Sequence, residues 1–120
     1  MAMQKVYFTV DLAIHEGKLD AFESIAQQMI DGTKKEPGAL GYEWYYSADR
    51  KRCRLLETYE DADAVFAHVT GNVVQQLVPK ILETSKITLF EVFGDPGPMA
   101  AAILTGVGAE IFAPWRGLDR

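Results

Sequence analysis

The sequence predicts a single α+β domain of the ferredoxin-like class, in which the elements follow the order β-α-β-β-α-β. Three observations lead to this class: an alternating apolar strand at residues 5–14, an aromatic hairpin at residues 40–59, and a helical pattern after each of these segments. The length of 120 residues is that of one domain. We therefore expect one four-stranded sheet with two helices packed on one of its faces.

The first strand and the first helix are predicted from the spacing of their apolar residues. The strand has a period of two, which is typical of β-structure, and the residues on its apolar side are Val6, Phe8, Val10, Leu12 and Ile14. Gly17 ends this strand. The helix has steps of three and four, which predict one apolar face, and the residues of that face are Leu19, Phe22, Ala26, Met29 and Ile30. Pro37-Gly38 is expected to stop the helix.

The hairpin is rich in aromatic residues on one side of each strand. The segment "SADRK" supplies the turn between the strands. The residues that share a side are Leu40, Tyr42, Trp44 and Tyr46 in the first strand, and Cys53, Leu55, Glu57 and Tyr59 in the second. We expect the aromatic residues to lie beneath the helices. The alternative is that they form a wall on which a flat aromatic ligand stacks.

The second half of the chain repeats the helix and strand and then adds a tail. Asp61 is a suitable N-cap for a second helix, whose apolar stripe includes Val65, Phe66 and Val69 and which Pro79 should interrupt. A last strand at residues 86–93 has Ile87 and Leu89 on one side, and "GDPGP" closes the domain. We therefore predict a domain at residues 1–94. An extension at residues 95–120 contains a short helix near 99–104 and an edge strand at 110–112, and packs on the domain or on a dimer partner.

Composition excludes several classes of function. The net charge of −5 disfavours a nucleic-acid partner. No segment is long and apolar enough to cross a membrane, and no secretory segment follows "MAMQKVYF". Cys53 is the single cysteine, so we expect a buried small side chain and no disulfide. Because this cysteine has no partner and no secretory segment is present, we expect a cytoplasmic protein. We expect no metal, because no two histidines or carboxylates have a metal-ligand spacing on one element.

The helices can cover only one face of the predicted sheet. The other face carries Tyr7, Asp11, Tyr45 and, on one assignment of the strand, Leu56. Sheet-on-sheet packing of two copies would remove these aromatic side chains from water. We therefore expect a homodimer that forms through the uncovered sheet face.

The run "EPGALGYEWYYSADRKRCRLLETYEDADAVFAHV" resembles the antibiotic biosynthesis monooxygenase (ABM) family of dimeric α/β-barrel proteins. The resemblance is carried by Pro37-Gly38 ahead of Gly41-Tyr42-Glu43, by the segment at 57–61, and by Ala67-His68-Val69. With the first strand it extends over residues 6–93. It implies a ferredoxin-like fold, a homodimer, and a pocket between the sheet and the helices of each subunit.

The same resemblance implies two kinds of activity. Characterised members oxidise polycyclic phenols or quinols with O₂ and no bound cofactor, and another branch binds and degrades haem. Both use an Asn on the first strand, whereas this strand has none and the corresponding region near Val10 is apolar. The haem-ligand position falls in "QQLVPK", which contains no His. We therefore expect a cofactor-free monooxygenase that does not need the Asn, and haem degradation is the weaker reading.

His68 and Glu57 are the candidate catalytic residues. His68 lies at the edge of the second helix's stripe, where a neutral imidazole can accept a phenolic proton near pH 7; the alternative is a boundary histidine bonded to a neighbouring strand or to the partner. Glu57, if buried, needs a donor or must be protonated. It is a functional acid, or it binds a backbone amide or Arg54 across the dimer. The candidate substrate-binding residues are Phe8, Val10, Tyr42, Trp44, Tyr59 and Phe66.

Three functions are compatible with these residues. The first is a cofactor-free monooxygenase for a small phenolic or quinol-type aromatic substrate. The second is a non-oxidative dimer that binds or isomerises a small aromatic or acidic metabolite. The third is a dimer with a filled core and a structural role. A pocket lined by Phe8, Trp44 and His68 would favour the first two.

Overall fold

Residues 4–118 are described by a computed structural model, in which one five-stranded sheet carries the helices on one face. The strands are β1 (Val6–Ile14), β2 (Ala39–Tyr46), β3 (Arg52–Tyr59), β4 (Ser85–Phe93) and β5 (Glu110–Phe112), in the sheet order β2-β3-β1-β4-β5. All neighbours are antiparallel except β4 and β5. The predicted ferredoxin-like fold is confirmed. Residues 1–3 and 119–120, which the predicted domain and extension include, lie outside the described residues.

The helices are α1 (Leu19–Thr33), α2 (Ala62–Thr70), α3 (Val78–Ile81) and α4 (Pro98–Gly106), with a π-helical turn at Val73–Leu77 between α2 and α3. The predicted cap of α2 is confirmed, because the Asp61 carboxylate accepts a hydrogen bond of 2.9 Å from the Ala64 N–H. The interruption expected at Pro79 is also found, since this residue lies in the first turn of α3. No helix among residues 4–118 is long and apolar enough to cross a membrane.

The hydrophobic core lies between the sheet and the helices. The predicted alternation of β3 is found, and the side that is buried, which the sequence left open, is that of the residues from Cys53 to Tyr59. Phe22, Ala26 and Met29 of α1 pack against it, as their spacing predicts. The alternation of β3 therefore places Glu57 in the core layer, where its carboxyl group needs a polar partner.

Two bulges move side chains away from their predicted faces. The register of β1 and β4 shifts between Asp11 and Leu12, so that Leu89 pairs with Asp11 on the outer face while Ile87 pairs with Leu12 and packs against the core. The prediction that Ile87 and Leu89 share a side was therefore wrong. A second shift, between Ala39 and Gly41, leaves Leu40 exposed and packs Ala39 against the core instead.

The face of the sheet opposite the helices carries apolar and charged side chains together. Tyr7, Tyr45 and Leu56 are exposed on it, as predicted, and Tyr45 has 52% of its surface exposed. Asp11 and Arg54, which are cross-strand neighbours, form two hydrogen bonds of 2.6 and 2.8 Å. We call this surface the outer face. The homodimer predicted to cover it stays a prediction.

The C-terminal extension packs on the edge of the domain. The short helix and edge strand predicted from the sequence are both present, as α4 and β5. Ala100 and Leu104 of α4 are buried, and α4 contacts α2. β5 pairs with β4, and the rings of Phe93 and Phe112 stack with centroids 5.3 Å apart. The extension thus protects the edge of β4, which would otherwise present unpaired backbone groups.

Candidate acid–base site

The second helix turns His68 into the core. The buried side of α2 consists of Val65, His68 and Val69, which follow the i, i+3, i+4 spacing of a helical face. Phe66, predicted to belong to this stripe and to bind substrate, lies outside it with 37% of its surface exposed. His68 therefore lies on the buried side of α2, beside Val65, with 3% of its surface exposed.

Glu57 and Tyr59 of β3 meet His68 in the core. The Tyr59 hydroxyl donates a hydrogen bond of 2.5 Å to Glu57 Oε1. His68 Nε2 is 3.7 Å from the same oxygen, which is longer than a hydrogen bond. The alternatives in which Glu57 binds a backbone amide or Arg54 do not describe this structure, since its hydrogen bond comes from Tyr59, and Arg54 binds Asp11.

A second carboxylate reaches the other nitrogen of the imidazole. Glu36 Oε1 lies 2.8 Å from His68 Nδ1, across a separation of 32 residues. Glu36 belongs to the loop between α1 and β2. The imidazole is therefore placed between two carboxyl groups, one on a strand and one on a loop. We call Glu36, Tyr42, Glu57, Tyr59 and His68 the acid–base cluster.

Aromatic rings enclose the imidazole. The ring centroid of Tyr59 is 5.0 Å from that of His68, and Tyr42 lies 5.8 Å away on an edge. Trp44 follows Tyr42 at 5.8 Å, and its Nε1 is buried without a hydrogen-bond partner among residues 4–118. Phe8 packs against Tyr59 with centroids 5.0 Å apart. These rings exclude water and strengthen the electrostatic interactions inside the cluster.

Burial sets the protonation of the acids in the cluster. It raises the pKa of Glu57, an effect that the charge of His68 and the Tyr59 hydrogen bond oppose. Burial and the charge of Glu57 raise the pKa of Tyr59 well above its ordinary value, and the same two causes raise the pKa of Tyr42. Both tyrosines are therefore neutral donors at physiological pH, and burial favours the neutral form of Glu57.

Access to the cluster is restricted. The side chain of His68 is 4% exposed, whereas that of Glu36 is 22% exposed. Neither His68 nor Glu57 lines any of five cavities among residues 4–118, so the expected pocket of Phe8, Trp44 and His68 is not one of these. The nearest is a groove of about 330 Å³ between α1 and the hairpin, which Trp44 lines. We call it the α1–hairpin groove.

The remaining predicted residues divide between the cluster, the groove and the core. Tyr42 and Tyr59 are in the cluster, and Val10 lies in the core of β1. Tyr46 is 38% exposed at the groove, where its hydroxyl donates a hydrogen bond to Glu23. Cys53 also lines the groove, and burial raises the pKa of its thiol to about 11, so it is not a thiolate nucleophile at neutral pH.

Glu36 was not predicted from the sequence. Its position directly before Pro37-Gly38 was noted only as a helix stop and as part of the resemblance. No local sequence pattern identifies it, because its contact with His68 joins residues 32 positions apart. Among residues 4–118, no group of three His, Cys, Asp or Glu side chains is arranged to hold a metal ion.

Comparison with known proteins places this geometry in a family. The sequence profile of the family described as "Antibiotic biosynthesis monooxygenase" matches residues 5–80. This is more than half of the chain, and the chain therefore belongs to the ABM family. No protein of curated function matches the sequence.

Solved structures with the same fold are similar at low sequence identity. MupZ from Pseudomonas fluorescens has a TM-score of 0.83 and 22% identity, covering 98% of this chain and 95% of MupZ. A candidate antibiotic biosynthesis monooxygenase from Caulobacter crescentus CB15 has a TM-score of 0.67 and 20% identity, covering 75% of this chain and 88% of its own. Rv0793 from Mycobacterium tuberculosis has a TM-score of 0.65 and 20% identity, covering 78% and 97%. The match to MupZ thus includes the C-terminal extension.

Proposed function

We propose that this member of the ABM family is a cofactor-independent monooxygenase that oxidises a small phenolic or quinol-type substrate with O₂. The observation that carries the proposal is the placement of one imidazole between two carboxyl groups inside an aromatic shell. A base in such a place can form the substrate anion, which is the species that reacts with oxygen. His68 is that base.

The acids of the cluster complement this base. His68 Nε2 accepts the proton of the substrate hydroxyl, and the Glu57 carboxyl, whose neutral form burial favours, donates a hydrogen bond to the oxygen that becomes negative. Tyr59 donates its hydroxyl proton to Glu57 Oε1 and holds that carboxyl in place. Donors that are fixed in a water-poor site stabilise such a charge more strongly than water does. The hydrogen bond from Tyr59 supports this role, because it orients the Glu57 carboxyl group.

The reaction then needs no bound redox group. The substrate anion supplies electrons to O₂, a carbon–oxygen bond forms to give a peroxide anion, and the His68 imidazolium returns its proton to give a hydroperoxide on the substrate. Loss of water from the C–H and O–OH groups leaves a carbonyl. One oxygen atom enters the product and the other leaves as water, and the substrate provides all the electrons.

The substrate enters where the cluster is least enclosed. Glu36 and Tyr42 are only partly buried, and Trp44 connects Tyr42 to the α1–hairpin groove. A flat ring lying in this groove would contact Trp44, whose buried Nε1 gains a hydrogen-bond acceptor from a substrate oxygen. Displacement of the Tyr42 ring then opens the path to His68.

A homodimer that buries the outer face is the second part of this proposal. Tyr7, Tyr45 and Leu56 are exposed side by side with the paired Asp11 and Arg54. Packing of two such faces removes the aromatic side chains from water, and the sheet then has helices on one side and a partner on the other.

Oxygen consumption tests the proposed chemistry. The metal-free protein is given a panel of reduced quinols and polycyclic phenols, with autoxidation subtracted, beside the His68→Ala variant. The exposed His15 provides a matched control as His15→Ala. We expect turnover that falls by a factor of about 100 or more in His68→Ala, the range of general-base catalysis, and is unchanged in His15→Ala. Equal turnover in both variants would remove His68 from the reaction.

A non-oxidative proton transfer is the second candidate. It is favoured by the Glu57 carboxyl group, whose neutral form burial favours and which lies beside the imidazole, because an isomerase needs an acid and a base on one substrate. The first strand has no Asn, which also favours a non-oxidative function over a monooxygenase. Anaerobic exchange of substrate protons for deuterium, followed by NMR, distinguishes this function: exchange without oxygen uptake supports it. Absence of both activities would leave a binding or structural dimer.

A further inference from the structure

We propose that Glu36 is the positioning residue of His68: it holds the imidazole in the tautomer that carries its proton on Nδ1, and so leaves Nε2 as the base. The inference rests on the proposed function for its catalytic meaning. It rests on geometry alone for the tautomer.

The hydrogen bond assigns the tautomer. An ionised carboxylate only accepts hydrogen bonds, so the 2.8 Å contact between Glu36 Oε1 and His68 Nδ1 requires the proton on Nδ1. The neutral imidazole then has its lone pair on Nε2. This atom is 3.7 Å from Glu57 Oε1, which is too far for a hydrogen bond, and it remains available to a substrate proton.

Both backbone polar groups of Glu36 form hydrogen bonds within its loop. The Glu36 N–H donates to the Thr33 carbonyl at 2.9 Å, and the Glu36 carbonyl accepts from the Ala39 N–H at 3.1 Å. These two bonds fix the backbone from which the Glu36 side chain extends toward His68.

The loop is also docked on the helix that carries His68. A Cβ atom at Gly38 would overlap the Cβ of Ala64 in α2, so a glycine is required for so close an approach. The Gly38 carbonyl accepts a hydrogen bond of 2.9 Å from the Glu60 N–H, immediately before α2. The distance between Glu36 and His68 is therefore set by contacts between their two elements.

The same carboxylate stabilises the charged imidazole. When Nε2 accepts a proton, the Nδ1–H bond to Glu36 becomes charge-assisted on both sides, which makes it stronger. The other groups that face the ring are Glu57, Tyr42 and Tyr59, and the tyrosines stay neutral. A carboxylate that orients a histidine base through Nδ1 is a general device of acid–base catalysis.

Nitrogen NMR of the full-length protein tests the tautomer without any substrate. We expect wild-type His68 to show a protonated Nδ1 and an unprotonated Nε2. Glu36→Ala should give a mixture of tautomers. Glu36→Gln should keep the Nδ1–H tautomer, because its amide oxygen still accepts a hydrogen bond. Glu60→Gln, at an exposed site near the same loop, is the matched control and should match wild type.

Oxygen consumption measures the effect of Glu36 on catalysis. Turnover should fall about 100-fold in Glu36→Ala and less in Glu36→Gln, in keeping with the range of acid–base contributions. A proton on Nε2 in the wild type, or an unchanged tautomer in folded Glu36→Ala, would overturn the inference. Failure of the proposed function appears separately, as absent oxygen uptake in a wild-type protein whose tautomer is the expected one.

Discussion

The substitution Glu57→Gln examines the electrostatics of the cluster through stability. Glu57 is buried, and burial raises the pKa of its carboxyl group in the folded protein. In the unfolded chain the group titrates near 4.5. Below that pH the carboxyl is protonated in both states. Above it the folded state keeps a proton that the unfolded state releases, so stability is lost as pH rises toward the folded pKa.

The expected size of this effect follows from proton linkage. Within the window above pH about 4.5, unfolding releases about one extra proton, and the free energy of unfolding falls by up to about 1.4 kcal/mol per pH unit. Glu57→Gln has no such proton. The stability of the variant minus that of the wild type should therefore rise with pH across the window, at up to about 1.4 kcal/mol per pH unit, whatever its value at acidic pH.

Urea denaturation between pH 4.5 and 8.5 measures the difference, at one fixed protein concentration because a dimer's stability depends on it. Glu60→Gln, which removes an exposed carboxylate, should give a curve parallel to that of wild type. The charge of His68 lowers the pKa of Glu57, so the window should extend to higher pH in His68→Ala. A constant difference between Glu57→Gln and wild type across the range would refute the assignment of a raised pKa.

Three further predictions concern packing and assembly. Tyr59→Phe removes the hydroxyl that donates to the buried carboxyl of β3, and thermal denaturation should show a loss of about 1–3 kcal/mol, whereas Tyr45→Phe on the exposed outer face should have little effect. Gly38→Ala forces a methyl group against Ala64 and should lower the free energy of unfolding by about 1–3 kcal/mol, measured by chemical denaturation. Gly106→Ala is the control, because a methyl group there meets no atom within 4 Å, and it should be neutral or slightly stabilising. Equal effects of the two substitutions would contradict the close docking of the loop. Light scattering at micromolar concentration should give a dimer for the wild type and a smaller species for Tyr45→Glu; a wild-type monomer would count against the outer face as an interface.

The elements of the fold were predictable because their signals are local. The period of two in β1 and β3, the helical spacing of α1 and the Asp61 cap each depend on residues close in sequence. The two bulges had no such signal. A shift of one residue exchanges the faces of all the residues that follow it, and the misplacement of Leu40 and Leu89 has this cause.

The candidate site was predictable only in part. Strand alternation placed Glu57 and Tyr59 on the same side of β3 but left open which side is buried; both lie in the core. Hydrophobicity ranked Phe66 above His68 for burial, but the two carboxyl groups that face the imidazole make its burial favourable. Glu36 approaches from a loop 32 residues away, and such a contact depends on the tertiary fold.

Isotope incorporation is the most direct test of the central claim that His68 generates a substrate anion that reacts with O₂. Wild-type protein is incubated with a reactive quinol or phenol under labelled O₂, and the product is analysed by mass spectrometry. The account predicts one labelled oxygen atom in each product molecule, with product formation lost in His68→Ala and kept in His15→Ala. Unlabelled product, or labelled product formed equally well by His68→Ala, would contradict it.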